Sequence, residues 1–380
     1  MKIRYFDHAA TTQVDENVLN EMIPYFSQNF GNPSSLYSIG KNNKEAINIA
    51  RMKIASILNC NVNEIYFTSG GTESDNLIIK GIAFANQRYG NHIITTKIEH
   101  PAVLETCKFL ERFGFRTTYL TPNSKGIIEL GELQRSIRRN TILISVMYAN
   151  NEIGTIQPIK EIGEIAKRRG VYFHTDAVQA MGNEKVDVRN QNIGALSLSA
   201  HKFYGPKGVG VAYINENIRF TRIQDGGHQE RNKRASTENV PGIIGMARAL
   251  EIANNNLEAY NAHLKELKNY FITEVEKRIP HVRINGDRAH RLAGNVNLSF
   301  SGIDGSKLIA MLDERGICAS SGSACSAGLI NPSHVLLAIG VPTFLAKSSL
   351  RITFGKENTM EDTEFLINSL EECVEKLRKI

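Results

Sequence analysis

A chain of 380 residues is longer than one hydrophobic core usually serves, so two domains are expected. With 42% hydrophobic and 22% charged residues the composition is that of a soluble globular protein, and no apolar run approaches the roughly 20 residues of a membrane span. The net charge of +6 comes from scattered Lys and Arg, which gives a mildly basic surface and argues against direct nucleic-acid binding.

The chain opens Met1-Lys-Ile-Arg-Tyr-Phe-Asp7, with no signal-like apolar region or cleavage site, and a cytoplasmic location is the expectation. From about residue 42 to 210, helical patterns over 44–58, 73–87 and 159–169 alternate with β-rich runs at 65–67, 92–96, 142–146 and 171–174. That rhythm predicts an α/β domain with a mostly parallel sheet. A continuous helical stretch is predicted over 242–278, ended by Pro280. Beyond it, short strands at 296–300 and 350–354 mix with helices over 305–314 and 359–379. Thr359, with Asp362 three residues on, has the form of a capping box. The expected division is a large domain over 16–253 and a smaller α+β domain made of 1–15 and 254–380.

Four places carry unusual chemistry. In Glu64-Ile-Tyr-Phe-Thr-Ser-Gly-Gly-Thr-Glu-Ser-Asp-Asn76 a strand runs through Gly70-Gly71-Thr72 into a helix, which suits an anion cradle as well as a plain strand–turn–helix. Asp176 ends a β-rich run, where a carboxylate needs a partner such as a protonated ring nitrogen; a helix-capping aspartate is the simpler alternative. Lys202 follows the hydroxyl-rich strand Leu196-Ser-Leu-Ser-Ala-His201; partial desolvation there would free its amine for Schiff-base chemistry, and a solvated turn lysine is the alternative. Cys325 sits in a Ser/Ala/Gly-rich stretch that offers no core to bury it, so it is either a reactive thiol or an incidental one. For Cys318 a strand-buried thiol is expected. The five cysteines are odd in number and never spaced C-x-x-C, which argues against a disulfide framework and a structural metal site. Pyridoxal phosphate needs the first three features together, and a sulfur acceptor needs the fourth.

The chain closely resembles the cysteine desulfurases of the NifS/IscS type, within the fold-type I pyridoxal-phosphate enzymes. The likeness runs from Tyr5-Phe-Asp-His-Ala-Ala-Thr-Thr12 past Arg351. Its most specific pieces are Ser69-Gly-Gly-Thr-Glu-Ser-Asp-Asn76, Asn150-Asn-Glu-Ile-Gly154, Ser199-Ala-His-Lys202 and Ser321-Gly-Ser-Ala-Cys325. The resemblance implies Lys202 as the Schiff-base lysine, Asp176 at the ring nitrogen, Gln179 at the phenolic oxygen and His100 stacked on the ring. It implies Gly71, Thr72, Ser199 and His201 at the phosphate, with Thr237 reaching across from the partner subunit of a homodimer. Asn151 would sit beside the cofactor and, with Arg351, hold the substrate carboxylate. Cys325 would take sulfur from L-cysteine as a persulfide, releasing alanine, and pass it to an iron–sulfur scaffold or tRNA-thiolation protein. Two departures stand out: Ser236 replaces a common glycine and Tyr37 a usual histidine. The rival readings are a selenocysteine lyase or another aminotransferase-like enzyme, and a non-catalytic iron–sulfur assembly scaffold.

Overall fold

The computed structural model describes residues 2–321 and 332–379, so Cys325 lies outside the described residues. The central feature is a seven-stranded sheet made of β1 (Ile65–Thr68), β2 (His92–Thr96), β3 (Arg116–Leu120), β4 (Thr141–Ser145), β5 (Tyr172–Asp176), β6 (Ala195–Ser199) and β7 (Gly210–Ile214). Its order is β1-β7-β6-β5-β4-β2-β3, and only β7 runs antiparallel to its neighbours. β2, β4, β6 and β7 are buried along their whole length. Helices cover both faces, which is why these strands read as unbroken apolar and hydroxyl runs and not as alternating ones. One face packs Ile94, Ile144, Phe173 and Leu198 against the Ser38–Leu58, Ile159–Arg169 and Val240–Asn255 helices. The other packs Ile93, Leu143 and Ala212 against the Gly71–Asn86 and Pro101–Glu111 helices.

A second core forms around a three-stranded antiparallel sheet, with Asn295–Phe300 between Val282–Ile284 and Ser349–Thr353. Phe271 of the Leu257–Arg278 helix and Leu366 of the Met360–Arg378 helix pack on it. Phe6 belongs to this core too, and Arg4–Tyr5 pairs in parallel with Ile317–Cys318. The N-terminal segment then crosses to the large sheet, where the Thr12 amide donates to the His201 carbonyl. It thereby links the two cores beside the strand ends.

Two helices replace the continuous one expected over 242–278: Val240–Asn255 and Leu257–Arg278, broken at Asn256. The cause lies in the Asn254-Asn255-Asn256 run, since asparagine amides compete with the backbone for its own hydrogen bonds. Asn256 does so directly, its Nδ2 donating to the Ile252 carbonyl at 2.8 Å. The Thr359–Asp362 capping box is present as anticipated. Among the described residues no helix is long and apolar enough to cross a membrane.

Candidate active site

The C-terminal ends of the parallel strands open on one cavity of about 280 Å³, the usual place for a ligand in such a sheet. Its first wall is the turn after β1. Gly70 has φ +152°, a conformation that favours glycine, and the next residue starts the Gly71–Asn86 helix. A helix start presents unpaired N–H groups and partial positive charge to whatever lies in front of it. A side chain at Gly71 would place its Cβ 2.7 Å from Val178 Cγ2, so the close approach is open only to glycine. Thr72, Ser199 and His201 line the same region. Burial first, then Lys202 and Lys207, pushes the His201 pKa down to about 4. The neutral imidazole lies 3.1 Å from Thr11 Oγ1 through Nδ1.

Opposite stands Asp176, the last residue of β5 and 6% exposed. Its Oδ1 accepts from the Val178 amide at 2.9 Å. Burial raises its pKa, while His100 and Lys202 act in the other direction. A carboxyl so placed calls for a cationic partner inside the cavity. His100 caps the Pro101–Glu111 helix, its Nδ1 accepting from the Ala102 amide at 3.1 Å. The ring proton therefore sits on Nε2. Burial lowers the His100 pKa, as Lys202 and His334 also do, against the pull of Asp176.

Lys202 closes the short Ala200–Lys202 turn that follows β6. Its Nζ donates to the carbonyls of Ala9 and Ala10, each at 2.6 Å, so the N-terminal segment supplies two of its polar neighbours. Gln179 donates to the Ala9 carbonyl as well, at 3.0 Å. Arg351, 1% exposed, lies on the Ser349–Thr353 strand at the edge of the same cavity. Nη1 donates to the Asn151 carbonyl at 3.1 Å, and Nη2 pairs with Asp7 Oδ1 at 2.7 Å. Asn151 also lines the cavity.

One chain thus brings together Gly71, Thr72, His100, Asn151, Asp176, Gln179, Ser199, His201, Lys202 and Arg351. Thr237 is elsewhere: it is exposed and lines a separate cavity with Ser69 and Arg234. Cys325 has no described position, but both sides of its segment reach the site. The Arg351 amide donates to the Ser320 carbonyl at 2.6 Å, and His334 lines the cavity with Nε2 donating to the Glu99 carbonyl at 3.0 Å. Cys318 ends a two-residue strand and is half-buried, with its thiol pKa raised by burial.

Sequence reasoning does not single out four further lining residues, Asp75, Glu99, Glu152 and His334. Glu99 is fully buried; Oε1 accepts from Thr96 Oγ1 at 2.7 Å and from the Met147 amide at 2.9 Å, while Oε2 has no partner. Burial pushes its pKa up to about 8. Asp75 and Glu152 stand inside the motifs Ser69–Asn76 and Asn150–Gly154, and Glu99 directly precedes His100; that proximity is the signal the sequence carries. Nothing in a linear pattern says which way a carboxyl points.

The donor set fits pyridoxal phosphate: a glycine-floored helix start for the phosphate, a buried acid for the ring nitrogen and the Lys202 amine for a Schiff base. Residues 4–366 match the model of the aminotransferase class-V family. The chain is 51% identical over 378 residues to cysteine desulfurase IscS of Clostridium botulinum, covering 99% of this chain and 95% of that protein. It is 52% identical over 379 residues to cysteine desulfurase IscS of Methanosarcina thermophila, covering 100% of this chain and 94% of the relative. Among solved structures, a NifS-like protein superposes with a TM-score of 0.93 at 37% identity, over 99% of this chain and 100% of that one. SspA in complex with cysteine superposes with a TM-score of 0.83 at 38% identity, over 94% of this chain and 100% of that one.

Proposed function

The chain belongs to the aminotransferase class-V family, and we propose that within it the protein is a cysteine desulfurase that converts L-cysteine to L-alanine and holds the sulfur on Cys325. The observation that carries this reading is a single cavity holding Lys202, the buried Asp176 and the Gly71 helix start, with both flanks of the Cys325 segment at its rim. Gly71, Thr72, Ser199 and His201 would hold the phosphate of pyridoxal phosphate, Asp176 its ring nitrogen, Gln179 its phenolic oxygen and His100 its ring face. When bound, the cofactor supplies an electron sink for negative charge at the substrate α-carbon.

The chain's own groups do the rest. Arg351 binds the substrate carboxylate with a fork already braced by the Asn151 carbonyl and Asp7. The Lys202 amine takes the α-proton, and the Ala9 and Ala10 carbonyls aim that amine. His100, with its proton on Nε2, can donate on the ring side. Cys325 then attacks the substrate sulfur as a thiolate. The balance is cysteine plus the Cys325 thiol giving alanine plus a Cys325 persulfide, with a bond to sulfur formed and the carbon–sulfur bond broken. The terminal sulfur leaves to a thiol of an acceptor protein, of the iron–sulfur scaffold or thiolation kind. Thr237 completes the phosphate site of the second subunit in a homodimer. The working units are 16–253 for the cofactor and 1–15 with 254–380 for the thiol.

The test is purified wild type against Lys202→Ala. Wild type is expected to be yellow and to release alanine and, with a thiol reductant, sulfide from cysteine in equal amounts. The variant is expected to lose both the colour and the alanine. Alanine that forms without sulfide, or only when a keto acid is added, would replace this reading with a transaminase.

A further inference from the structure

Two buried groups beside the cofactor cavity have no part in the reaction just described. Asp75, in the Gly71–Asn86 helix, is 1% exposed and lines the cavity. His174 is fully buried on β5, two residues before Asp176. The period-two alternation of a strand puts His174 and Asp176 on the same face of the sheet, the one beneath that helix.

His174 is the centre of a polar row across three strands. Its Nδ1 is 2.9 Å from Ser145 Oγ on β4, and its Nε2 is 3.1 Å from Ser197 Oγ on β6. Ser197 is the register partner of Asp176 and also lies beside Asp75. Asp75 Oδ1 comes within 3.5 Å of His174 Nε2 and has no hydrogen-bond partner.

Two carboxyls therefore face the end of the cavity where one protonated ring nitrogen belongs. A single cation neutralises a single carboxylate, and a second buried anion beside the first is repelled by it. The other charged groups around the pair do not change this. Glu99 opposes charge on Asp75, as Asp176 does, while His100 and Lys202 favour charge on Asp176. His174 offers Asp75 no cation, because burial drives its pKa down to about 3.

We propose that Asp75 is a positioning residue that carries a proton and donates a hydrogen bond into the Ser197–His174–Ser145 row, leaving Asp176 the single anion beneath the cofactor ring. The proposal rests on the pyridoxal-phosphate reading of the cavity. The row then has a consistent set of donors: His174 Nδ1–H donates to Ser145 Oγ, and Nε2 accepts from the Asp75 carboxyl or the Ser197 hydroxyl. It braces the strand ends that carry Asp176 and Ser199 without adding charge to them.

The test compares the holoenzymes of wild type, Asp75→Asn and Asp75→Ala by cofactor retention in equilibrium dialysis and by visible spectra across pH. Asn and Ala both remove a charge if one is there, but only Ala removes the donor. The expected result is an Asn variant within about threefold of wild type in retention and within about 0.3 unit in spectral midpoint, and an Ala variant about tenfold weaker. An Asn variant whose midpoint moves by about a unit, as removal of a neighbouring anion would cause, overturns the proposal. The Asn variant decides alone should the Ala variant fail to fold. A wild-type protein that takes up no pyridoxal phosphate overturns the cofactor reading and this proposal together, whereas a shifted Asn holoenzyme overturns only the proposal.

Discussion

Glu99 gives the cavity wall a pH-dependent weakness whose size follows from its burial. The folded protein keeps this carboxyl protonated up to about pH 8, against an ordinary value of 4.5. Between those values the unfolded chain has released the proton and the folded chain has not, so the unfolded state binds fewer protons and stability falls as pH rises. The slope is about 1.4 kcal/mol per pH unit, which brings the loss to the order of 3 kcal/mol by pH 7. Glu99→Gln removes the titration and keeps the acceptor used by the Thr96 hydroxyl and the Met147 amide. The oxygen it replaces with an amide nitrogen has no partner to lose. Urea unfolding of both holoenzymes at intervals from pH 5 to 8 should show the Gln variant gaining on wild type by about 3 kcal/mol across that range. A gap that stays constant or narrows with rising pH would show that Glu99 is ionised in the folded protein, and the reasoning would be wrong.

Gly71→Ala should weaken cofactor retention about tenfold, or about 1.4 kcal/mol, because the new Cβ lies 2.7 Å from Val178 Cγ2 and Val178 also carries the amide that Asp176 accepts. Equilibrium dialysis against pyridoxal phosphate reads this directly, and unchanged retention would remove the glycine floor from the account. Ser236→Gly should stabilise the protein, since Ser236 holds φ +102°, where a side chain is strained. Relief of about 1 kcal/mol corresponds to a rise of about 1–2 °C in the thermal midpoint for a chain of this size, and a fall would contradict it.

Much of the fold is legible in the sequence because the large sheet is buried on both faces. Its strands stand out as short apolar runs between amphipathic helices, and 92–96 is matched residue for residue. The break at Asn256 is not legible by periodicity, since apolar spacing continues across the asparagine run while the backbone does not. Asp176 and Lys202 are legible as candidates because a carboxylate or amine at a strand end is costly without a purpose. Ser236 departs from the glycine common in the family, and its positive φ gives that departure a physical meaning. The pairing of Arg351 with Asp7 and of Lys202 with the Ala9 and Ala10 carbonyls is a different matter. These contacts join residues more than 190 positions apart, and only the fold brings them together.

The most direct test of the central claim is alanine and sulfide release from cysteine by wild type and Cys325→Ala, with the visible spectrum of each recorded first. The account predicts two yellow proteins, of which only wild type releases alanine and sulfide. A yellow Cys325→Ala protein that turns over at the wild-type rate would contradict it, because the sulfur would then have another acceptor.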